Sequence, residues 1–332
     1  MSNGTPSREV SPAYGSLLWT IPVRGAAGQN PFFDDLGTSL YASDGWGRAP
    51  APTLRFRRFD ALTGEEQARW PCGSAVRCAT LVGDGDLLVA TDQRLAQLDA
   101  TTLVERRRWN RSVKHANSIA VAGSTAIAAN WRLPTVTLVD LETGLVRRKR
   151  HGEMTAVVGR PGGDPLLVGG ASGGIAAIDP ASGTIRRLRA APAALDATLT
   201  PDGEALWLTT GIRVVVTERP DGASLRPGDA TTRLERHPLG EGDATEIDVP
   251  MPVRTVACGV DGELWLTPGP VQGSEQFVAI RPNDADDAWR LWRAPTGQLV
   301  AALSPAARLV LTSARPPDDL TTTFRCHRLE WG

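Results

Sequence analysis

The chain has 332 residues, a formal net charge of -1 and 41% hydrophobic residues, a composition typical of a folded protein. The near-zero charge excludes a global electrostatic attraction to nucleic acid or to an anionic membrane surface. No run approaches the roughly 18 consecutive apolar residues of a membrane span, and the four cysteines lack metal-ligand spacing. We therefore expect no membrane partner.

The N-terminal segment, residues 1–15, is polar and contains two prolines and two glycines. It has no apolar run of the kind that forms a signal peptide. We expect a disordered lead over residues 1–15, a single domain over residues 16–332 and a cytoplasmic location.

A short phrase recurs beyond this lead: Asp, two variable residues, Ser or Thr, and Gly. It begins at Asp60, Asp140 and Asp179, with a degenerate copy at Asp99, so successive aspartates stand 39, 41 and 39 residues apart. The Asp and Thr side chains can satisfy backbone amides of a tight turn, and Gly supplies the positive φ that closes it. Four short apolar runs precede or follow each phrase, as between Val76 and Trp109. Four strands per repeat of about 40 residues are typical of a propeller blade.

After the third phrase the period lengthens. Further turns between third and fourth strands are predicted near residues 236–240, 281–285 and 328–332, with 218–222 as an alternative for the first, so the strand assignment over 213–250 stays open. Seven turns result, and the last leaves no sequence for its outer strand, for which residues 16–21 are the predicted donor. The sequence thus predicts an all-β, seven-bladed β-propeller of four-stranded antiparallel blades, closed by pairing of the N- and C-terminal strands.

The segments 200–209 (Thr-Pro-Asp-Gly-Glu-Ala-Leu-Trp-Leu-Thr) and 139–146 (Val-Asp-Leu-Glu-Thr-Gly-Leu-Val) resemble the repeats of YVTN-type propellers. That group is similar in fold to quinoprotein and WD40-like propellers. The Trp-Asp and Gly-His pairs of true WD40 repeats are missing. Trp70 stands two residues later than in the tryptophan-docking motif of quinone enzymes, so we expect no pyrroloquinoline quinone and no other cofactor.

Alignment of the repeats predicts which residues begin the innermost strands, at the mouth of a central channel. These are Gln29, Arg77, His115, Glu153, Asp196, Arg254 and Gln298, with Asn130 and Trp131 on the same face. His and Glu can transfer protons, and Arg can chelate an anion. Seven-bladed lactonases and cycloisomerases are similar in fold, and this similarity implies His115 and Glu153 as catalytic groups, with Arg77 and Arg254 holding a carboxylate. The structural alternative is a set of solvated channel residues.

A metal site of His115, His151 and Glu153 is a weaker alternative, because no fixed ligand spacing supports it, and we expect no metal. Long connections between second and third strands, at residues 43–52, 268–276, 313–321 and 220–232, are placed on one face. Such loops concentrate binding. We therefore predict a non-catalytic propeller that binds a protein partner, or a small carboxylate at the channel mouth, through this face. The alternative is a channel enzyme of the lactonase or carboxylate lyase and isomerase type, and the sequence does not decide between them.

Basic runs occur at residues 106–108, 147–150 and 186–187, each in a predicted outer strand. Charge on an exposed edge strand prevents edge-to-edge aggregation, so we interpret these runs as solvated edges. Residues 101–150 carry ten basic and three acidic side chains. A basic flank for an acidic protein or another polyanion is the alternative, and we expect no nucleic-acid partner.

Overall fold

The protein is described from a computed structural model. The structure describes residues 10–24, 31–44, 54–83, 85–92, 94–110, 113, 116–130, 134–152, 154–169, 173–210, 233–249, 253–268, 276–283, 288–314 and 321–331. The chain divides into two compact units: Met1–Pro71 with Val256–Gly332, and Cys72–Thr255. No helix long and apolar enough to cross a membrane occurs within these described ranges.

The fold is the predicted one: seven sheets, each containing four antiparallel strands, make a seven-bladed β-propeller. In six blades these four strands follow one another along the chain, so the first-to-second and third-to-fourth turns lie at one end of a blade. The second-to-third connection lies at the other end. The turn predicted near residues 236–240 overlaps the connection from the third strand, which ends at Pro238, to the fourth strand, which begins at Thr245. The alternative at residues 218–222 lies outside the described residues.

The first unit contains three blades and both chain ends. The N-terminal strands are β1 (Val10–Pro12) and β2 (Tyr14–Arg24). Blade 1 contains β3 (Phe32–Phe33), β4 (Ser39–Ser43), β5 (Arg55–Asp60) and β6 (Glu66–Pro71). Blade 6 contains β23 (Thr255–Cys258), β24 (Leu264–Thr267), β25 (Phe277–Arg281) and β26 (Trp289–Arg293), and blade 7 contains β27 (Leu299–Ser304), β28 (Leu309–Ala314) and β29 (Thr321–Glu330).

The second unit contains blades 2 to 5. Blade 2 comprises β7 (Val76–Val82), β8 (Asp86–Thr91), β9 (Arg94–Asp99) and β10 (Glu105–Asn110), and blade 3 comprises β11 (Ala116–Ala122), β12 (Thr125–Asn130), β13 (Thr135–Asp140) and β14 (Val146–Arg150). Blade 4 comprises β15 (Met154–Val158), β16 (Leu166–Gly169), β17 (Ile175–Ile178) and β18 (Ile185–Arg189), and blade 5 comprises β19 (Ala194–Leu199), β20 (Ala205–Thr210), β21 (Arg233–Pro238) and β22 (Thr245–Ile247).

The N-terminal segment closes the fold, as predicted. β2 pairs antiparallel with β29 and is the outermost strand of blade 7, with Ser16 opposite Arg328 and Ile21 opposite Phe324. β1 pairs in parallel with β26 and makes blade 6 five-stranded. Ordered strand structure therefore begins at Val10, inside the segment expected to be a disordered lead. The three residues of β1 are too few to show a strand period in sequence.

The core lies between the faces of neighbouring blades. Every residue of β12 and of β20 is buried, because both faces of a middle strand are covered. In the second unit, blades 3 and 4 share a cluster that includes Ile127, Leu138 and Leu167. In the first unit, Trp19 packs with residues of blades 1 and 7. The continuous apolar runs of the sequence are thus explained by two-sided burial.

The repeated phrase forms the expected turn. Asp140 Oδ1 accepts backbone N–H groups of Glu142 at 3.0 Å and of Thr143 at 2.7 Å. The Thr143 amide holds the pKa of Asp140 below its usual range. Gly144 has a φ of 77°, and in the degenerate copy Leu103 takes the same left-handed conformation with a φ of 54°. A buried leucine there costs backbone strain that glycine avoids.

Candidate functional site

The predicted ligand site is only partly within the described residues. Gln29, His115, Trp131 and Glu153 lie outside them, as do most residues of the long second-to-third-strand connections. The described members are Arg77, Asn130, Asp196 and Arg254 in the second unit and Gln298 in the first. The proton-transfer pair His115 and Glu153 therefore stays a prediction.

Arg77 is already paired with a carboxylate of its own blade. Its Nε atom donates to Asp92 Oδ1 in an ion pair between β7 and the end of β8, and the two side chains are 18% and 23% exposed. A guanidinium that is held by a carboxylate of its own blade binds an external carboxylate only in competition with it. This pair does not support the predicted role of Arg77 in an anion clamp.

Asp196 and Arg254 lie next to a common residue, Thr209. Asp196 is opposite Thr209 in the β19–β20 pair, and Thr209 Oγ1 donates to the backbone carbonyl of Arg254. Similar bonds join successive first strands in this unit: Asn117 Nδ2 donates to Thr155 O at 2.8 Å, and Thr155 Oγ1 donates to Ala194 O at 2.7 Å. The Asn117 and Thr155 side chains thus join blade 3 to blade 4 and blade 4 to blade 5, whereas the side-chain roles predicted for Asp196 and Arg254 stay predictions.

The structure also describes the surroundings of Gln298 and Asn130. The Gln298 side-chain oxygen accepts from Thr312 Oγ1, and Thr312 Oγ1 lies 3.3 Å from Nε2 of the buried His327. Asn130 ends β12 opposite Ala116 and is 6% exposed. The binding roles of Gln298 and Asn130 stay predictions.

The metal alternative has one described member, His151. Its side chain is partly buried, and burial lowers the pKa of its imidazole. In the described part of the chain, no group of three or more His, Cys, Asp and Glu side chains could hold a metal ion.

The outer strands of blades 2, 3 and 4 are strongly basic. β10, β14 and β18 together carry ten basic residues and one acidic residue, Glu105. We call these three strands the basic flank. Arg106 pairs with Asp86 at 2.8 Å and with Asp99 at 2.5 Å, and Arg108 makes a bidentate pair with Glu105 at 2.6 and 2.8 Å.

Several flank arginines are not simply solvated, and this corrects the edge interpretation. Arg107 donates through both terminal nitrogens to the backbone carbonyls of Leu141 and Glu142, in the phrase turn of the next blade. Arg147 does the same to Pro180, at 2.8 Å, and to Ala181. The carbonyls at the first and second positions after Asp are therefore bound by the preceding blade, one repeat away.

The glycine of each phrase is close to an outer-strand side chain of the preceding blade. A Cβ on Gly64 would lie 2.8 Å from the Trp19 ring, and one on Gly183 would lie 2.8 Å from Lys149 Cε. Trp19 Nε1 also donates to Ala61 O at 2.8 Å, so it takes the same carbonyl position in blade 1. We call the hydrogen bonds from Trp19, Arg107 and Arg147 to the phrase turn of the next blade inter-blade latches. The sequence feature that marks them is a side chain with a hydrogen-bond donor on the outer strand, one repeat before each phrase.

The sequence reasoning also missed a buried histidine on β21 that is paired with a half-buried glutamate. His237 is 2% exposed, and its Nε2 atom lies 2.8 Å from Glu235 Oε2, which Thr210 supports by donating 3.2 Å to Glu235 Oε1. Nδ1 of His237 has no hydrogen-bond partner among the described residues. Glu235 and His237 are two residues apart, which places them on one face of a strand and could have indicated the pair. The sequence leaves the strand assignment in this region open.

Comparison with known proteins gives the fold and not the activity. No protein-family model and no curated protein matches the sequence. The structure is similar to the Neurospora crassa Pan2 WD40 domain, with a TM-score of 0.67 and 12% identity over 97% of each chain. It is also similar to Kuenenia stuttgartiensis hydrazine synthase, with a TM-score of 0.62 and 15% identity over 98% of this chain and 99% of that chain. The chain thus has the WD40-like propeller fold.

Proposed function

We propose that the protein is a non-catalytic interaction propeller that binds a protein partner through its long second-to-third-strand connections. The supporting observation is their unequal length. Eleven residues separate β4 from β5, nine separate β24 from β25, and 22 separate β20 from β21, whereas blades 2 to 4 use two to five. Extra length on a rigid scaffold is where binding residues concentrate.

Two further observations support binding over catalysis. Arg77 is paired with Asp92 of its own blade, and Arg254 accepts a hydrogen bond from the Thr209 hydroxyl through its backbone carbonyl. The resemblance to a WD40 domain is compatible with an interaction module, although a propeller also occurs in hydrazine synthase, so fold alone does not decide the function. A cytoplasmic location and a small carboxylate ligand remain parts of the hypothesis.

The test replaces residues 45–53 by Gly and Ser at unchanged length. The matched control makes the same replacement at residues 131–134 of blade 3, where the connection is short. Cross-linking of each tagged variant in its source cells, followed by mass spectrometry, compares the proteins recovered. We expect a partner that wild type and control retain and the blade 1 variant loses, with equal melting temperatures.

Two results contradict this proposal. One is a partner set that is unchanged in the blade 1 variant and in an equivalent variant of residues 269–275. The other is turnover of a lactone or carboxylate substrate that is lost in Glu153→Gln, which would establish the channel-enzyme alternative.

A further inference from the structure

The two most exposed large apolar side chains among the described residues stand on equivalent turns of the first unit. Leu36 is 73% exposed and lies in the first-to-second-strand turn of blade 1, and Val260 is 72% exposed and lies in the same turn of blade 6. The corresponding turns of blades 2 to 5 consist of Gly, Ser, Thr, Pro, Asp, Glu and one Arg. The repeat provides four turns for comparison, and their sequences contain no large apolar residue.

The corresponding turn of blade 7 lies between these two. A side chain on Gly37 of blade 1 would collide with Ala307 of blade 7, and a Cβ on Gly259 of blade 6 would lie 3.1 Å from Pro305 Cβ. Ala306 stands between these two contacts along the chain and is exposed. The three turns therefore form one continuous surface with an apolar residue from each blade. We define the apolar turn surface as the three turns that carry Leu36, Val260 and Ala306.

Charge at this surface has one predominant sign. The three turns contain four acidic residues and one basic residue, Arg308. Asp35 and Asp261 stand next in sequence to the two exposed apolar side chains and are themselves exposed. Neither forms an ion pair or a side-chain hydrogen bond with a residue that the structure describes. A partner with basic side chains around an apolar face would therefore complement the surface in both charge and polarity.

The backbone of these turns is already hydrogen-bonded. Each turn closes with a bond from the N–H of its fourth residue to the carbonyl of its first: Gly37 to Asp34 at 3.0 Å, Gly262 to Gly259 at 2.9 Å and Arg308 to Pro305 at 3.0 Å. Strand addition uses the free backbone groups of a sheet edge, so it is not the binding mode here. Recognition must use side chains, and a helix with one apolar face and basic margins presents such side chains without a ladder.

We propose that the apolar turn surface binds a basic amphipathic helix of a partner protein. Apolar side chains of the helix pack on Leu36, Ala306 and Val260, and its Lys or Arg side chains pair with Asp35 and Asp261. Nucleic acid and anionic membranes fit poorly, because carboxylates repel their phosphates. The turns lie at the end of the blades opposite the long connections, so this proposal stands or falls separately from the loop-binding function.

The test uses the full chain and a fluorescent peptide of about four helical turns, built from Leu and Lys with the leucines on one face. Three probes match it in length: one of the same composition with scattered leucines, one with Glu for Lys, and one with Ser for Leu. Anisotropy titrations at physiological ionic strength compare the dissociation constants. We expect the amphipathic Lys peptide to bind at least about tenfold more tightly than each of the others, because each lacks the apolar face or the positive charge.

A first pair of variants tests the apolar contacts. Leu36→Ser with Val260→Ser should weaken binding of the amphipathic Lys peptide at least about tenfold, because the apolar area that the peptide covers is lost. Val104→Ser with Leu145→Ser is the matched control, since those two residues also lie in turns and are 63% and 60% exposed. The control should keep the wild-type affinity. Ala replacements at residues 36 and 260 repeat the test if the Ser variants melt at a lower temperature.

A second pair of variants tests the charges. Asp35→Asn with Asp261→Asn should weaken binding to a similar extent and should reduce its dependence on salt concentration. The control, Glu241→Gln with Asp243→Asn, removes two exposed carboxylates from a turn of blade 5 and should keep both the affinity and its salt dependence. Sedimentation of wild type and of both turn-surface variants should give the same molecular mass.

Four outcomes overturn the proposal. One of the three matched probes binds as tightly as the amphipathic Lys peptide, which would indicate nonspecific adsorption. Either control loses binding to the same extent as the variant that it matches. Wild type sediments as an oligomer that the turn-surface variants dissociate, which would make a second copy of the chain the occupant. No probe binds a wild-type protein whose thermal unfolding is normal.

Discussion

Trp19 joins the closing strand β2 to blade 1, and its replacement gives a graded test of the closure. Trp19 is 8% exposed and packs in a cluster with residues of blades 1 and 7. Its indole N–H donates to Ala61 O at 2.8 Å, and its ring lies over Gly64. Two contributions can therefore be separated by substitution: the buried ring and the hydrogen bond.

Trp19→Ala removes both contributions. Truncating a buried Trp costs about 3–5 kcal/mol through lost burial and the cavity that remains. Trp19→Phe keeps most of the ring and loses the hydrogen bond, which is worth about 1 kcal/mol, so we expect a cost of about 1–2 kcal/mol. Against a total free energy of unfolding of about 5–15 kcal/mol, the Ala variant loses a large fraction.

Equilibrium urea unfolding, monitored by circular dichroism, gives the free energy of unfolding of both variants. The values are compared only where the m-value equals that of wild type. Leu17→Ala is the control, because Leu17 lies in the same strand and is 55% exposed; its change should stay within about 0.5 kcal/mol. Equal losses for the Phe and Ala variants, or an Ala variant within about 1 kcal/mol of wild type, would refute the assignment of Trp19 as the main fastening of the closing strand.

Arg147→Gln should cost about 1–2 kcal/mol in urea unfolding because two turn carbonyls lose a charged donor, whereas Arg150→Gln should change the unfolding free energy by less than about 0.5 kcal/mol. Deletion of residues 1–12 should lower the melting temperature slightly, because β1 is lost from blade 6, and deletion of residues 1–22 should lower it much more; equal melting temperatures for the longer deletion and wild type would contradict the closure. Ellman's reagent should modify at most Cys258 in the native protein, since Cys72, Cys78 and Cys326 are buried and burial raises the pKa of Cys78 and Cys326 to about 12; rapid labelling of three thiols would contradict this. Burial, with Arg325 nearby, lowers the pKa of His327, so its contribution is present above the unfolded pKa of about 6.5 and is lost as the pH falls; the melting temperature should drop between pH 7 and 5.5, and less so in His327→Gln, and an equal drop in both proteins would exclude His327 as the cause.

The repeat number and the phrase turns are predictable from sequence because their determinants are local, and the closing strand is predictable because the seventh repeat has no sequence left for its outer strand. Asp140 accepts amides two and three residues later, and Gly144 follows at once with its positive φ. Such a turn is encoded in five consecutive residues, and its period counts the blades. β1 was not predictable, because its parallel pairing with β26 depends on a residue almost 280 positions away.

The candidate site was less predictable because residue type does not reveal the partner. Arg77 and Arg147 both carry a guanidinium on a strand, yet one binds a carboxylate of its own blade and the other binds carbonyls of the next. The partner of Arg147 lies 33 to 34 residues ahead, roughly one repeat later. A search for donors one repeat before each phrase would have found the latches, whereas no such rule marks Asp92.

The latches and the long connections occupy opposite ends of each blade, and this separation bears on how the fold can bind a partner. The phrase turns join third to fourth strands, whereas the long connections join second to third strands at the other end. Changes in the length of those connections therefore leave the contacts of Trp19, Arg107 and Arg147 in place. A binding face can thus vary while inter-blade packing is kept, because the residues that stabilise the blades and the residues available to a partner share no turn.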